Sequence, residues 1–192
     1  MLHVALERGQ RQTDGLWKIL HRCKPNGPWV AGGAARRLYF EECLPATSDV
    51  DVFFKDQEQF EAFEYWIADD QGGELYHAAK GNDTYTFNGL LVQLIKSYFS
   101  SVDHVLSSFD FRMCMFGCDG EQITHGHLAV EDVREKVLVV NKIKLPLYTL
   151  ARISKYRDQG FHTRPDNCII YDLSEAARTQ LAAGSELGYG DL

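Results

Sequence analysis

The 192-residue chain is short of prolines (5), methionines (3) and basic charge, and long apolar runs are missing altogether. No stretch approaches the roughly 18 apolar residues that a membrane span needs, so no membrane association is expected. The opening MLHVALERGQRQ lacks the charged start and apolar stretch of a secretory signal, and a cytoplasmic setting is the expectation. No internal repeat and no low-complexity linker divide the sequence. Its five cysteines, Cys23, Cys43, Cys114, Cys118 and Cys168, are odd in number and form no C-x-x-C pair. Most sit among apolar residues, where a reduced thiol acts as a small hydrophobe in an intracellular, reducing setting. Lys and Arg number 20 against 27 Asp and Glu, a formal net charge of −7. Coating a long duplex through counterion release calls for the opposite balance. A local basic strip could still hold a short strand or a nucleotide. What is present is ordinary globular material, 45% apolar and 12% aromatic. A chain of this length buries about 70% of its unfolded surface, enough for one domain, or one with a small appendage, without staples.

Punctuation and periodicity predict a mixed α+β order. Thr13 or Asp14 starts a helix carrying Leu16, Trp17, Ile19 and Leu20, which stops before Pro25-Asn26-Gly27-Pro28. A short strand, Trp29-Val30-Ala31, runs into Gly32-Gly33, then a helix spans residues 34–43 and a strand 49–54. Asp56 is placed to cap a helix whose Phe60, Phe63, Trp66 and Ile67 share one face, with Gly72-Gly73 closing it. Strands follow at 75–79, 84–87 and 90–95, a short helix at 101–107 and an alternating strand at 109–116. The turn Cys118-Asp119-Gly120 leads back to Gln122-Ile123. Residues 136–140 read as a strand, and 147–158 and 173–183 as helices.

The strongest local signal is Ser48-Asp49-Val50-Asp51-Val52-Phe53-Phe54. On a strand Asp49 and Asp51 share a face, about 6.6 Å apart along the backbone, while Val50 and Val52 take the other. Two carboxylates on an apolar strand repel each other and lose solvation. A divalent cation between them removes both penalties, and Mg²⁺ prefers one or two carboxylates with waters and phosphate oxygens. The other reading of a bare D-x-D is a solvated edge strand. Gly32-Gly33, between an apolar strand and a helix, offers backbone N–H groups to phosphates. Alone it is a tight turn; with the D-x-D one strand later it becomes a phosphate cradle facing a metal site.

Strand, Gly-Gly, helix and D-x-D in this order resemble the polymerase-β-like nucleotidyltransferase superfamily, and most of all the head domain of bacterial poly(A) polymerases and CCA-adding enzymes. Gly32-Gly33-Ala34-Ala35-Arg36-Arg37 is similar to their G-G-x-x-R-D, with Arg36 on the family's arginine and Arg37 in place of the acid. Phe109-Asp110-Phe111-Arg112-Met113 is similar to their R-D-F-T motif, without its leading basic residue. Glu131-Asp132-Val133-Arg134 with Leu138-Val139-Val140 looks like the end of the head, and residues 150–161 look like the helix opening the neck. The E-D-x-x-R motif that reads the incoming base is missing, as are the longer neck, body and tail.

The resemblance spans about residues 28 to 163. It implies a head domain over 1–145 and a helical extension over 146–192, and an NTP substrate with ATP as the expected donor. It further implies Mg²⁺ (or Mn²⁺) on Asp49 and Asp51, with Asp110 either a third metal ligand or a contact to the nucleotide sugar. Gly32, Gly33 and Ser48 would position the triphosphate, and Arg36 or Lys55 would neutralise developing charge. Two ions in such sites lie about 3.5–4 Å apart, one activating an attacking hydroxyl and one stabilising pyrophosphate. The acceptor is left open between RNA (such as tRNA, an RNA-processing role), a protein and a small molecule; oligomeric state is unread. Arg152, Lys155 and Arg157, with Tyr156, either touch an acceptor RNA or form a solvated helix face. His125-Gly126-His127 has poor zinc spacing. The rival expectation is a catalytically degenerate nucleotide-binding or interaction module that kept the fold.

Overall fold

Local signals become elements largely where hydrophobic period and capping chemistry agree. The computed structural model describes residues 1–6, 14–45, 48–143, 145–163 and 179. Along the first half run β1 (Leu2–Ala5), α1 (Asp14–Leu20), β2 (Trp29–Ala31), α2 (Gly33–Tyr39), β3 (Asp49–Phe54) and α3 (Gln57–Tyr65). A π-turn, Trp66–Asp70, then leads into β4 (Glu74–Ala78), β5 (Asn82–Phe87) and β6 (Leu90–Tyr98). The second half holds α4 (Val102–Ser107), β7 (Phe116–Cys118), β8 (Gln122–His125), α5 (Ala129–Arg134), β9 (Val137–Leu138), α6 (Pro146–Asp158) and β10 (His162–Thr163). Thr13, Cys168 and the helix expected over 173–183 lie outside the described residues. No helix among the described residues is long and apolar enough to cross a membrane.

Eight strands form one mixed sheet in the order β1-β8-β7-β2-β3-β6-β5-β4. Its central β2 and β3 are antiparallel, whereas β3 and β6 run parallel, aligning Asp51 with Ala31 on one side and Gln93 on the other. The helix start at Asp56 forms as expected, its carboxylate accepting from the Gln59 N–H at 2.9 Å. α3 and the π-turn then bury Phe60, Phe63, Trp66 and Ile67. Phe54 of β3 meets Phe60 and Phe63 edge-on at 5.3 and 5.6 Å. The face of β3 holding Val50, Val52 and Phe54 is thus the core face, and Asp49, Asp51 and Phe53 lie on the opposite one.

Three expectations change. Residues 109–116 are not a strand: Phe111 makes a single bridge to Val140, Arg112–Cys114 is a 3₁₀ turn, and β7 starts only at Phe116. The alternation fails because Met113, Cys114, Met115 and Phe116 are all buried in succession, so no solvent face exists. Backbone partners come instead from the 139–142 segment, with Arg112 N–H donating to Val139 O and Asn141 N–H to Asp110 O at 2.9 and 2.7 Å. The strand expected over 136–140 shrinks to β9, which pairs parallel with β10 outside the large sheet. The helix expected over 34–43 ends at Tyr39, and Glu41 takes a positive φ of 54° just beyond. β1, which no sequence signal marked, closes one sheet edge against β8.

Candidate active site

β3 brings Asp49 and Asp51 to one face, both half-buried. Burial pushes both carboxyls above the usual carboxylate range, and Asp49 adds repulsion that raises Asp51 to about 6. Lys155 pulls both down and Arg152 pulls Asp51 down, without offsetting burial. Among the described residues neither carboxylate has a hydrogen-bond donor or a salt-bridge partner. Gly32 stands beside the pair with φ at +77°, a conformation that favours glycine, and a Cβ there would lie 3.4 Å from Asp51 Oδ2. A Cβ on Gly33 would meet nothing within 4 Å, so open space adjoins the turn.

Asp51 and Asp110 line one cleft of about 290 Å³ between the exposed face of β3–β6 and the start of α6. Phe53 lies on its wall, held edge-on between Phe99 and Phe109 at 5.7 and 5.8 Å. Gln93, next to Asp51 across the sheet, accepts on Oε1 from the Asn82 side-chain amide at 3.1 Å. Asp110 Oδ2 accepts from Arg152 of α6 at 3.1 Å, and its buried Oδ1 has no donor. Among the described residues no group of three His, Cys, Asp or Glu is arranged to hold a metal ion. Asp110 therefore shares the cleft with Asp51 without completing a three-residue ligand set.

Other predicted residues fall elsewhere. The Gly32 N–H donates to Phe116 O at 2.8 Å as part of the sheet, which removes it from the expected phosphate cradle; Gly33 begins α2 with no side-chain cap. Arg36 is buried: its Nη1 donates to Met113 Sδ at 3.0 Å and its guanidinium lies 5.7 Å from the Phe161 ring centre. It does not line the cleft, because a helix residue four positions past the turn points into the α6 side of the core. Ser48 precedes β3, its N–H donating to Pro45 O, and Lys55 is exposed at the strand's far end. His125 stacks on Phe116 at 5.8 Å with its Nδ1 3.0 Å from Gly126 O, a packed histidine. Cys23, Cys114 and Cys118 are buried free thiols and Cys43 is an exposed one; burial pushes Cys114 up to about 11 and Cys118 to about 12.

Sequence reasoning missed that Lys142, Gln93 and Asn82 line the cleft, and it left Arg152 between an acceptor RNA and a solvated helix face rather than on Asp110. The spacing of Arg152 and Lys155, three apart on α6, put the two on one helix face but carried no signal toward Asp110. That helix is fastened by Tyr156, whose ring meets Phe111 at 5.4 Å and whose hydroxyl lies 3.1 Å from Cys114 Sγ.

The same architecture occurs in solved proteins. The CCA-adding enzyme of Thermotoga maritima complexed with tRNA superposes with a TM-score of 0.66 at 15% identity, covering 96% of this chain and 48% of that one. The Bacillus stearothermophilus CCA-adding enzyme in complex with CTP gives 0.57 at 16%, covering 89% and 45%. A CCA-adding enzyme complexed with ATP gives 0.60 at 16%, covering 89% and 42%. At such identities the likeness establishes the fold, a polymerase-β-like nucleotidyltransferase fold of mixed sheet and flanking helices. By sequence, the Gabija anti-defense 2 protein of Bacillus phage SPbetaL7 is 24% identical over 152 residues, 75% of this chain and 36% of that protein. The chain spans about a third of the length of that curated relative. A family model described as Gabija anti-defense 2 family protein matches residues 8–136, well over half of the chain. On a nucleotidyltransferase fold, then, the chain belongs to the Gabija anti-defense 2 family.

Proposed function

We propose that the chain is a metal-dependent nucleotidyltransferase that moves a nucleoside monophosphate from an NTP to a hydroxyl acceptor. The observation that carries this reading is the pair Asp49 and Asp51, half-buried on one face of β3, mutually repelling and without a donor. Two unsatisfied carboxylates beside open space fit Mg²⁺ or Mn²⁺, which take few protein oxygens and fill the rest with water and phosphate. When bound there, such an ion would activate the acceptor hydroxyl and stabilise the pyrophosphate leaving group. The chain's residues supply the remainder. Gly32 keeps the space beside Asp51 free of side chain, and Phe53 gives the cleft an apolar wall. Asp110 lines the same cleft with Oδ2 already held by Arg152, which suits a contact to a sugar hydroxyl better than a third metal bond. The acceptor oxygen bonds to the α-phosphorus as the α–β bond breaks; pyrophosphate leaves and the hydroxyl proton passes to solvent.

In a family named for Gabija anti-defense, such chemistry would serve to counter that defence, with an RNA, a protein or a small molecule as acceptor. The solved relatives were captured with tRNA, ATP and CTP, which makes ATP and CTP the first donors to try. A second reading, a nucleotide-binding or interaction module without turnover, is favoured by the Arg152–Asp110 ion pair and by the burial of Arg36. Labelled NTP incubated with Mg²⁺ and with RNA or lysate protein separates the two. We expect pyrophosphate release, reduced at least ~10³-fold in the Asp49→Ala/Asp51→Ala double variant, the scale on which removing transition-state charge stabilisation acts. NTP binding without any pyrophosphate would leave the second reading standing.

A further inference from the structure

The sheet gives Asp51 two different flanks. On one side it aligns with Ala31 of β2, which runs into the Gly32 turn, and on the other with Gln93 of β6. The cleft opens on the β6 side: Gly81, Asn82, Gln93, Ile95 and Ser97 line it, whereas Gly32 and Gly33 do not. This β5–β6 wall carries no charge, and the cations of the cleft, Lys142 and Arg152, stand on or just before α6. Lys96, the one cation of β6, alternates to the opposite face, where its ammonium bonds Asp83 at 2.7 Å and Ala79 O at 3.1 Å. In place of charge the wall holds an amide pair. Asn82 is only 7% exposed, and its amide donates to Gln93 Oε1 at 3.1 Å, which orients both side chains. Among the described residues Asn82 Oδ1 and Gln93 Nε2 have no protein partner, and both atoms remain open to the cleft. A free acceptor thus lies beside a free donor. Phe53 and Phe99, edge-on at 5.7 Å, add an apolar surface to the same cleft.

An in-line displacement puts the entering and leaving oxygens on opposite sides of the phosphorus. Phosphates are held by charge-assisted bonds, which a wall of neutral amides does not supply. Pyrophosphate therefore leaves on the Gly32 side of Asp51, and the entering hydroxyl comes from the Gln93 side. The same neutrality is unsuited to an RNA strand, whose phosphates call for cations. It suits an uncharged sugar ring, whose neighbouring hydroxyls each donate and accept while its C–H face lies on apolar surface.

We propose that Asn82 and Gln93 form the acceptor subsite, and that the acceptor is an uncharged sugar ring, either a free sugar or the ribose of a nucleoside. The inference rests on the nucleotidyltransferase reading and narrows its acceptor. One hydroxyl oxygen of that ring bonds to the α-phosphorus, the α–β phosphoanhydride bond breaks, pyrophosphate leaves and the hydroxyl proton passes to solvent.

Adenosine and methyl glucoside are the probes, used on the full 192-residue chain. Each is titrated by calorimetry without NTP or metal, then offered as acceptor with ATP and Mg²⁺ while pyrophosphate is followed. At least one should bind and raise pyrophosphate release; adenosine alone assigns the ribose of a nucleoside, methyl glucoside alone a free sugar. Gln93→Leu should raise the KM for the active probe about tenfold, the scale of one lost hydrogen bond, with the KM for ATP within twofold of wild type. Asn82→Leu should do the same; should it unfold, Gln93→Leu decides alone, since Gln93 is only half-buried. A probe KM unchanged in Gln93→Leu, or one that rises together with that of ATP, overturns the subsite. So does a short RNA oligonucleotide that drives pyrophosphate release where both probes fail, and the transferase reading then stands. Gln93-dependent probe binding without any pyrophosphate keeps the sugar site and sinks catalysis alone. A chain that neither binds a probe nor releases pyrophosphate overturns both.

Discussion

Asp51 ties the candidate site to pH. Its carboxyl is raised to about 6 by burial and by Asp49, against an ordinary value near 4. A raised acid binds its proton more tightly in the folded than in the unfolded chain. The metal-free protein should therefore lose stability as pH climbs from about 4 to about 6 and change little above that. Divalent cations compete with the same proton, so Mg²⁺ protection against heat should be full near pH 7.5 and fade below pH 6. Asp51→Asn removes the buried charge and should stabilise the metal-free protein at pH 7.5 by on the order of 1 kcal/mol while abolishing Mg²⁺ protection. Thermal melts across pH, with and without Mg²⁺, check both. A flat pH profile would mean that solvent reaches Asp51 freely.

Elements carry the site by fixing segments that are not themselves regular. The stretch bearing Asp110 has no ladder of its own and is held by the 139–142 loop and by Arg112. Arg112 forks onto Asp132 of α5, with bonds of 2.5 and 2.7 Å to its two oxygens, and Asp132 is buried. Asp132 is the buried partner and Arg112 keeps some access to solvent, so Asp132→Ala should cost about 2 kcal/mol in urea titrations. The same change frees the Asp110 segment and should weaken ATP binding. The divide between what could and could not be read from sequence follows the same line. The β3 carboxylates, the α3 cap at Asp56 and the Phe60–Ile67 stripe were legible because their spacing is local and periodic. Residues 109–116 were not, since a segment buried on every side has no period to read. Arg152 on Asp110 spans 42 residues, and no local pattern pairs them. Arg36 was legible as a motif position but not as a buried side chain, because its surroundings are Met113 and Phe161 from distant parts of the chain.

Over the whole molecule the sheet order sets the order in which the structure comes apart. β2, β3, β6, β5 and β4 come from one continuous stretch, residues 29–98, whereas β1 must find β8 across more than a hundred residues. Every residue of β1 is exposed, so its hold on β8 is mainly backbone ladder and the contact of His3 with Thr124 at 3.0 Å. Native-state hydrogen exchange should show the amides of Leu2–Ala5 opening well below the global free energy, with β3 among the last to exchange. Uniform protection across the sheet would contradict this. Closing such a long loop is slow compared with pairing neighbours. The strand nearest the beginning of the chain is consequently a late arrival during synthesis: β1 waits, unpaired and with Leu2 and Val4 uncovered, until residue 125 has left the ribosome.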